Sequence, residues 1–291
     1  MTNLVDPFEQ PLDVKIEKAI LAIKEYADYF GMNTPLPGFE TNEGYQLCFS
    51  GGKDSVVIKA LADMAGVKYN AVYSITTIDP PELVQFIKNE HPDVERVNYK
   101  EEGKVVNFFK KMETKGFPLR MRKWCCDLYK HNTGNAFLKI IGIRAEESAK
   151  RKNRWKILTR WSGRGGEKYC LCPILYWTEK DVWDFIKKYN IPYCSLYDEG
   201  FTRLGCIACV EASKKQREKE LARWPHYEKM FRRSFKRMWK NKVGSINRDG
   251  NEWFGSRKFK NSDELFEWWV SNEASPEDLI EGHQQCTMGL F

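Results

Sequence analysis

Six consecutive residues, Ser50, Gly51, Gly52, Lys53, Asp54 and Ser55, have the types and order to hold a phosphate chain. They follow the apolar run 45–49, which reads as a buried strand, and lead into 54–65, which reads as a helix closed by Gly66. At such a turn two glycines let the main chain pass close to an anion. The unpaired N–H groups of the helix start then point at it. Ser50 and Ser55 add hydroxyls, and Lys53 adds a positive charge. Asp54 is an acid beside an anion site, which makes sense when a magnesium ion joins the two. The spacing is not that of the Gly-x-x-x-x-Gly-Lys-Ser/Thr loop. The competing reading, a solvated tight turn, leaves six matched positions to chance.

The second set of residues is the thiols. Nine cysteines are many for a chain of 291 residues, and the odd count fits metal or redox chemistry better than a disulfide framework. Cys125 and Cys126 are adjacent, and Cys206 and Cys209 form Cys-Ile-Ala-Cys, with seventy-nine residues between the two pairs. Four thiolates from two loops can hold zinc or an iron–sulfur cluster. Neighbours in sequence are awkward ligands for one small ion, whereas a cubane offers separate irons. The expectation is therefore a [4Fe-4S] cluster, with Zn2+ as the alternative. Cys170 and Cys172 could replace one of these ligands, Cys194 is spare, and Cys48 reads as core. Arg120, Arg122 and Lys123 precede the pair, either as anion or cluster contacts or as ordinary loop charges.

The elements that must position these residues alternate. Helices are expected at 12–30, 54–65, 80–89 and 104–113, and strands at 45–49, 68–75, 94–99 and 137–143. Alternation of this kind implies βαβ units and a parallel sheet, here of about five strands with flanking helices. Ligands in such folds sit at the carboxyl ends of strands. The phosphate loop and Arg144, with Ala145 and Glu146, both fall there. Arg144 suits bidentate phosphate contact; its alternative is an ion pair with Glu146 or Glu147. Asp79, after the second strand, is a candidate ribose or base contact. Thr178 is expected to cap a helix over 178–189. Basic helices broken at Pro225 are expected over 212–240, and a short helix over 262–271.

The phosphate loop resembles the PP-loop of the adenine-nucleotide alpha-hydrolase superfamily, whose members cleave ATP between the alpha and beta phosphates. A Cys-Cys pair followed by Cys-x-x-Cys is similar to the cluster signature of iron–sulfur sulfonucleotide reductases and of the related DNA phosphorothioation enzymes. Residues 141–148, the run Trp177-Thr178-Glu179-Lys180-Asp181-Val182-Trp183, Ile191-Pro192 and Leu196-Tyr197-Asp198-Glu199-Gly200 extend the likeness over about residues 40–210. The chain is thus identified as a member of the phosphoadenosine-phosphosulfate (PAPS) reductase family in its broad sense. The resemblance implies a Rossmann-like α/β fold, an adenine nucleotide such as ATP, and the four named thiols as cluster ligands. Sulfite-forming members use a cysteine in a C-terminal Glu-Cys-Gly-Ile/Leu-His motif. This chain has Cys286 in that region with different neighbours and His283 nearby, so Cys286 is either a mobile nucleophile or an unremarkable thiol.

Charge separates the C-terminal part from the rest. Residues 211–260 carry sixteen Lys/Arg and six Asp/Glu, against a net charge of +7 for the whole chain. Residues 213–260 also interleave Trp224, Tyr227, Phe231, Phe235, Trp239, Trp253 and Phe254. That suits DNA or RNA, unless the aromatics are the core of a solvated helix. The expected domains are an N-terminal helical segment (1–40), the nucleotide-binding domain (41–210) and a basic helical region (211–291). No apolar run is long enough to span a bilayer and no leader pattern opens the chain, so the expected compartment is the cytoplasm. Three functions fit: an ATP pyrophosphatase coupled to sulfur transfer or redox chemistry; a sulfonucleotide reductase with a thioredoxin-like donor; and a nucleotide- and nucleic-acid-binding subunit without turnover. A sulfur-donor protein and a homo-oligomer are compatible with each.

Overall fold

The computed structural model describes residues 6–30, 44–131, 136–163, 166–246, 250 and 252–271. The chain divides into two compact units. One comprises Met1–Ser74, Pro81–Val97 and Thr133–Leu204; the other comprises Ile75–Pro80, Asn98–Asn132 and Gly205–Phe291.

The first unit is built on a sheet of six strands: β1 (Tyr45–Phe49), β2 (Tyr69–Ile75), β3 (Glu95–Asn98), β6 (Leu138–Ile140), β7 (Leu158–Gly163) and β8 (Gly166–Leu171). Their order is β3-β2-β1-β6-β8-β7. β1 pairs in parallel with both β2 and β6, and β6 in parallel with β8. β7 is antiparallel to β8, so the sheet is mostly parallel and gains an edge hairpin beyond the five strands expected. The order reverses between β1 and β6, and their carboxyl ends define the crevice where a ligand can enter between diverging connections. Buried Leu47 and Phe49 on β1, and Leu138 and Ile140 on β6, form the core here.

Helices α1 (Leu12–Tyr29), α2 (Lys53–Ala65), α3 (Pro81–Glu90), α6 (Ala149–Arg154) and α7 (Glu179–Lys188) complete this unit. α2 buries Val56, Val57, Ile58, Leu61 and Ala62 and ends at Gly66 in the left-handed conformation, φ +66°. Each buried Val, Ile or Leu stabilises by roughly 1.5–3 kcal/mol relative to exposure, so α2 is held firmly by packing, with α1, α7 and β1 as neighbours. Thr178 and Asp181 form a capping box on α7. Asp181 also receives the Lys15 ammonium at 2.6 Å, which ties α1 to the same helix start.

The second unit carries the short hairpin β4 (Lys100–Glu101) and β5 (Lys104–Val105), α4 (Phe108–Lys115), the single turn α5 (Trp124–Cys126), α8 (Lys214–Arg223), α9 (Pro225–Lys242), α10 (Phe254–Lys258) and α11 (Ser262–Ser271). The helix expected over 104–113 starts later. Asn107 caps it by accepting the Lys110 N–H at 2.8 Å, and residues 104–105 pair as a strand instead. Phe108, Met112, Phe117, Phe231, Phe235, Met238, Phe266 and Trp269 make this core. Trp224, Trp253 and Phe254 are buried as well. Five of the seven interleaved aromatics are therefore core residues rather than a stacking surface, because the apolar stripe of α9 packs on α4 and α11.

Candidate functional site

The turn after β1 has the geometry its residues imply. Gly51 adopts φ +74°, and a Cβ there would stand 2.7 Å from Leu83 and 2.8 Å from Ile87 of α3. Only glycine satisfies both demands. Gly52 is the N-cap of α2 with φ −77°; a Cβ on it would come within 3.4 Å of both the Ser50 and the Tyr197 hydroxyls. Ser55 donates its hydroxyl to the Gly52 carbonyl at 2.7 Å, and the Gly52 N–H reaches Ser50 Oγ at 3.4 Å. The two serines thus shape the loop as well as line it. Gly142, after β6, is equally close-packed: a Cβ would lie 3.1 Å from the Asp54 carbonyl.

Charged groups close a ring around the start of α2. Lys53 is buried; its main-chain N–H donates to the Tyr197 hydroxyl at 2.9 Å and its ammonium to the Thr202 carbonyl at 3.1 Å. The ammonium also lies 3.7 Å from Asp54 and 3.8 Å from Glu179. Arg144, ninety residues from Asp54, is buried and donates Nε to Asp54 Oδ1 and Nη1 to Glu146 Oε2, both at 2.6 Å. Glu146 Oε2 in turn accepts the Glu179 N–H at 2.6 Å, at the positive end of α7. The ring holds two cations, Lys53 and Arg144, and three carboxylates, Asp54, Glu146 and Glu179. Of the two readings of Arg144, the structure shows the ion pair with Glu146, to which it adds a second with Asp54. Burial pushes the Tyr197 phenol above its ordinary range, so it stays neutral.

The thiols gather in the second unit. The loop 75–80 meets the Cys-x-x-Cys turn through the Ile207 N–H, which donates to the Ile78 carbonyl at 2.8 Å, and through the Cys206 thiol, which lies 3.4 Å from Thr76 Oγ1. Asp79 is buried, accepts the Thr76 N–H at 2.9 Å, and so braces this loop. Thr77 holds φ +65°, a strained conformation for a β-branched residue. Arg120 donates to the Val210 carbonyl at 3.1 Å, and Lys123 pairs with Glu211 at 3.0 Å. These loop charges staple the Cys125–Cys126 segment to the segment after Cys209.

Cys125 lies within electrostatic reach of Cys126, Cys206 and Cys209, and Cys206 within reach of Cys209. The hydrogen bond with Cys126 is the largest cause of a raised Cys125 pKa, followed by burial and then by Cys206 and Cys209. Burial pushes the Cys206 thiol up to about 11, with Lys130 pulling against it. Cys206, foremost among several anionic neighbours, holds the Lys130 ammonium above the usual lysine range. All four cysteines are free thiols, a donor set that fits a soft metal centre. Among the described residues, no three His, Cys, Asp or Glu side chains stand together as a preformed metal-ligand group. Cys170 and Cys172 belong to the other unit, on and just beyond β8, and are buried. Cys286 and His283 lie outside the described residues.

Sequence reasoning assigned no role to Tyr197, Lys130, Arg217 or Glu220. Lys130 follows Cys126 by four residues, the spacing that puts side chains on one helical face, and that signal was readable. Tyr197 gave none, because its partner is a main-chain amide far away in sequence.

A mostly parallel sheet whose order reverses beside a glycine-bearing strand–helix turn defines an α/β protein with a crevice at the carboxyl ends of β1 and β6. Residues 45–212 match the phosphoadenosine phosphosulfate reductase domain, and the chain belongs to that family. An uncharacterized protein of Methanocaldococcus jannaschii is 32% identical over 193 residues, covering 62% of this chain and 46% of that protein. The adenosine 5'-phosphosulfate reductase of Staphylococcus haemolyticus is 32% identical over 98 residues, 33% of this chain and 38% of that enzyme. The matched part therefore spans less than half of either relative. A phosphoadenylyl-sulfate reductase structure from Candida auris aligns at a TM-score of 0.46 with 16% identity, covering 67% of this chain and 93% of that one. No helix among the described residues is long and apolar enough to cross a membrane.

Proposed function

We propose that the chain binds ATP or a related adenine nucleotide at residues 50–55 and releases pyrophosphate by alpha–beta cleavage. The adenylated product then enters sulfur-transfer or redox chemistry. The observation that carries this reading is the charged ring. Three carboxylates beside an anion-binding helix start oppose a bare polyphosphate, and the two cations present do not outnumber them. A divalent cation resolves the conflict. Mg2+ needs only one or two carboxylates, taking phosphate oxygens and water for the rest, so no preformed cage is required. Asp54 and Glu179 would hold it there, and it would neutralise charge on the departing pyrophosphate.

The residues divide the remaining work. The α2 amides, with Ser50 and Ser55, receive the phosphates. Lys53 follows the negative charge that grows on the leaving group. Arg144 fixes the Asp54 carboxylate through a charge-assisted bond to Oδ1, leaving Oδ2 on the side of the Lys53 ammonium. Cys125, Cys126, Cys206 and Cys209 would hold a [4Fe-4S] cluster, which would supply electron transfer or sulfur handling. Lys130 offsets the thiolate charge that such binding requires.

Anaerobically purified full-length chain should release pyrophosphate from Mg-ATP, and Lys53→Ala should abolish it. No release with any acceptor tested would count against the proposal. Iron and sulfide analysis tests the thiol assignment, which a colourless zinc protein would overturn. A second reading, reduction of a sulfonucleotide to sulfite, is favoured by the match to 5'-phosphosulfate reductases. It requires Cys286 as nucleophile and a thioredoxin-like donor, so unchanged sulfite formation by Cys286→Ser would exclude that role.

A further inference from the structure

Helix α9 carries two faces with opposite fates. Phe231, Ser234, Phe235 and Met238 are buried. Diametrically opposite, at 100° per residue, lie Lys229, Arg233, Lys236 and Lys240, all exposed. Their spacing of four, three and four residues makes one stripe about 16 Å long. None of the four has an ion pair or side-chain hydrogen bond among the described residues.

The flanks of the stripe differ. Arg232 is paired with Glu228, Asp263 and Glu267, and Arg237 with Glu113. Acids thus neutralise the arginines on either side, while the crest has none among the described residues. Lys229 with Arg233, and Lys236 with Lys240, are like charges at i,i+4, which destabilise a helix in isolation. A solvated face has no need of that arrangement; an external polyanion offsets it.

We propose that this crest binds the sugar–phosphate backbone of a double-stranded nucleic acid, without sequence preference. Its length is on the scale of a few successive phosphates of a duplex backbone. No aromatic side chain stands among the four cations, so backbone contact rather than base stacking is the mode. An interfacial membrane helix would need its apolar stripe free for lipid, and here that stripe is the core. The proposal is independent of the chemistry at residues 50–55.

The test is fluorescence anisotropy of a labelled mixed-sequence duplex with the full chain across a potassium chloride series. Each phosphate contact contributes about −0.9 to the slope of log K against log salt. Replacing Lys236 and Lys240 by Gln should flatten the slope by about 1.8, and replacing all four by about 3.6, equally for unrelated sequences. Arg237→Gln, whose charge is already paired, should leave the slope nearly unchanged. Circular dichroism and melting identify any variant that fails to fold, and the Lys236→Gln/Lys240→Gln pair, at two exposed positions, still decides the matter. Absence of duplex binding, equal slopes in wild type and variants, or binding to phosphatidylserine vesicles in place of the duplex would overturn the proposal.

Discussion

Tyr197 stands where a phosphate oxygen would need to be. Its hydroxyl accepts the Lys53 N–H at 2.9 Å, one of the amides that an anion at the start of α2 would use. The ring is held separately, edge-on to Trp183 with centroids 5.1 Å apart. Tyr197→Phe should therefore keep the packing and free the amide. A buried amide left without a partner costs about 1–3 kcal/mol in the empty protein, and the nucleotide would satisfy it. Nucleotide binding should tighten by about fivefold or more, as read by calorimetry. Because burial keeps the phenol neutral, the change should be independent of pH from 6 to 9. Weaker binding in the variant would mean that the hydroxyl donates to the ligand instead of competing with it. At this scale the sequence was most legible where geometry is local: the tight turn at Gly51, with φ +74°, could be read within six residues. Asp79 could not be read so, because its carboxylate serves the Thr76 amide in a loop whose strain at Thr77 leaves no sequence signature.

Among the elements, α8 has a duty that its charge-rich sequence conceals. Glu220 accepts the Ala208 N–H at 2.7 Å, and Arg217 donates Nε to the Cys209 carbonyl at 2.9 Å. Ala208 sits at φ +55°, so the Cys-x-x-Cys turn is bent into a sparsely populated conformation and then clamped. Arg217 is buried, and desolvation lowers its pKa to about 10. Truncating Glu220 to Ala removes a hydrogen bond to a charged acceptor, worth about 1.5–3 kcal/mol. Exchange of the Ala208 amide should accelerate tenfold or more, and iron retention in anaerobic preparations should fall with it. Unchanged exchange would show that the turn holds its own shape. In the first unit α1, α2, α3 and α7 and the strands β1, β2, β3 and β6 followed from apolar periodicity, whereas the short α6 was not expected. The β7–β8 hairpin did not, since its edge strand alternates weakly and carries charge, and the Lys104 start of α4 failed because Asn107 competes as a cap. The interleaved aromatics stayed open between core and stacking surface for a related reason: periodicity marks an amphipathic face without saying whether protein or ligand covers it.

At the scale of the whole molecule, the question is whether nucleotide binding is coupled to the stability of one unit. The ring of Lys53, Asp54, Arg144, Glu146 and Glu179 joins the ends of β1 and β6 to the starts of α2 and α7. These are long-range connections within the first unit, so anything that bridges them should stabilise its sheet as a body. A ligand at a hundredfold excess over its Kd, bound only to the folded state, contributes about 2.7 kcal/mol. For a unit of this size that corresponds to a rise in melting temperature of about 5–10 °C. Mg-ATP should produce it, with added amide protection concentrated in α2 and in residues 141–147. ATP with excess chelator should produce much less, since the three carboxylates then meet the phosphates without a cation between them. Lys53→Ala should lose most of the shift while melting near the wild-type temperature without ligand. A shift of equal size with and without magnesium would remove the metal from the site. No shift with any adenine nucleotide would leave the crevice between β1 and β6 without its proposed ligand.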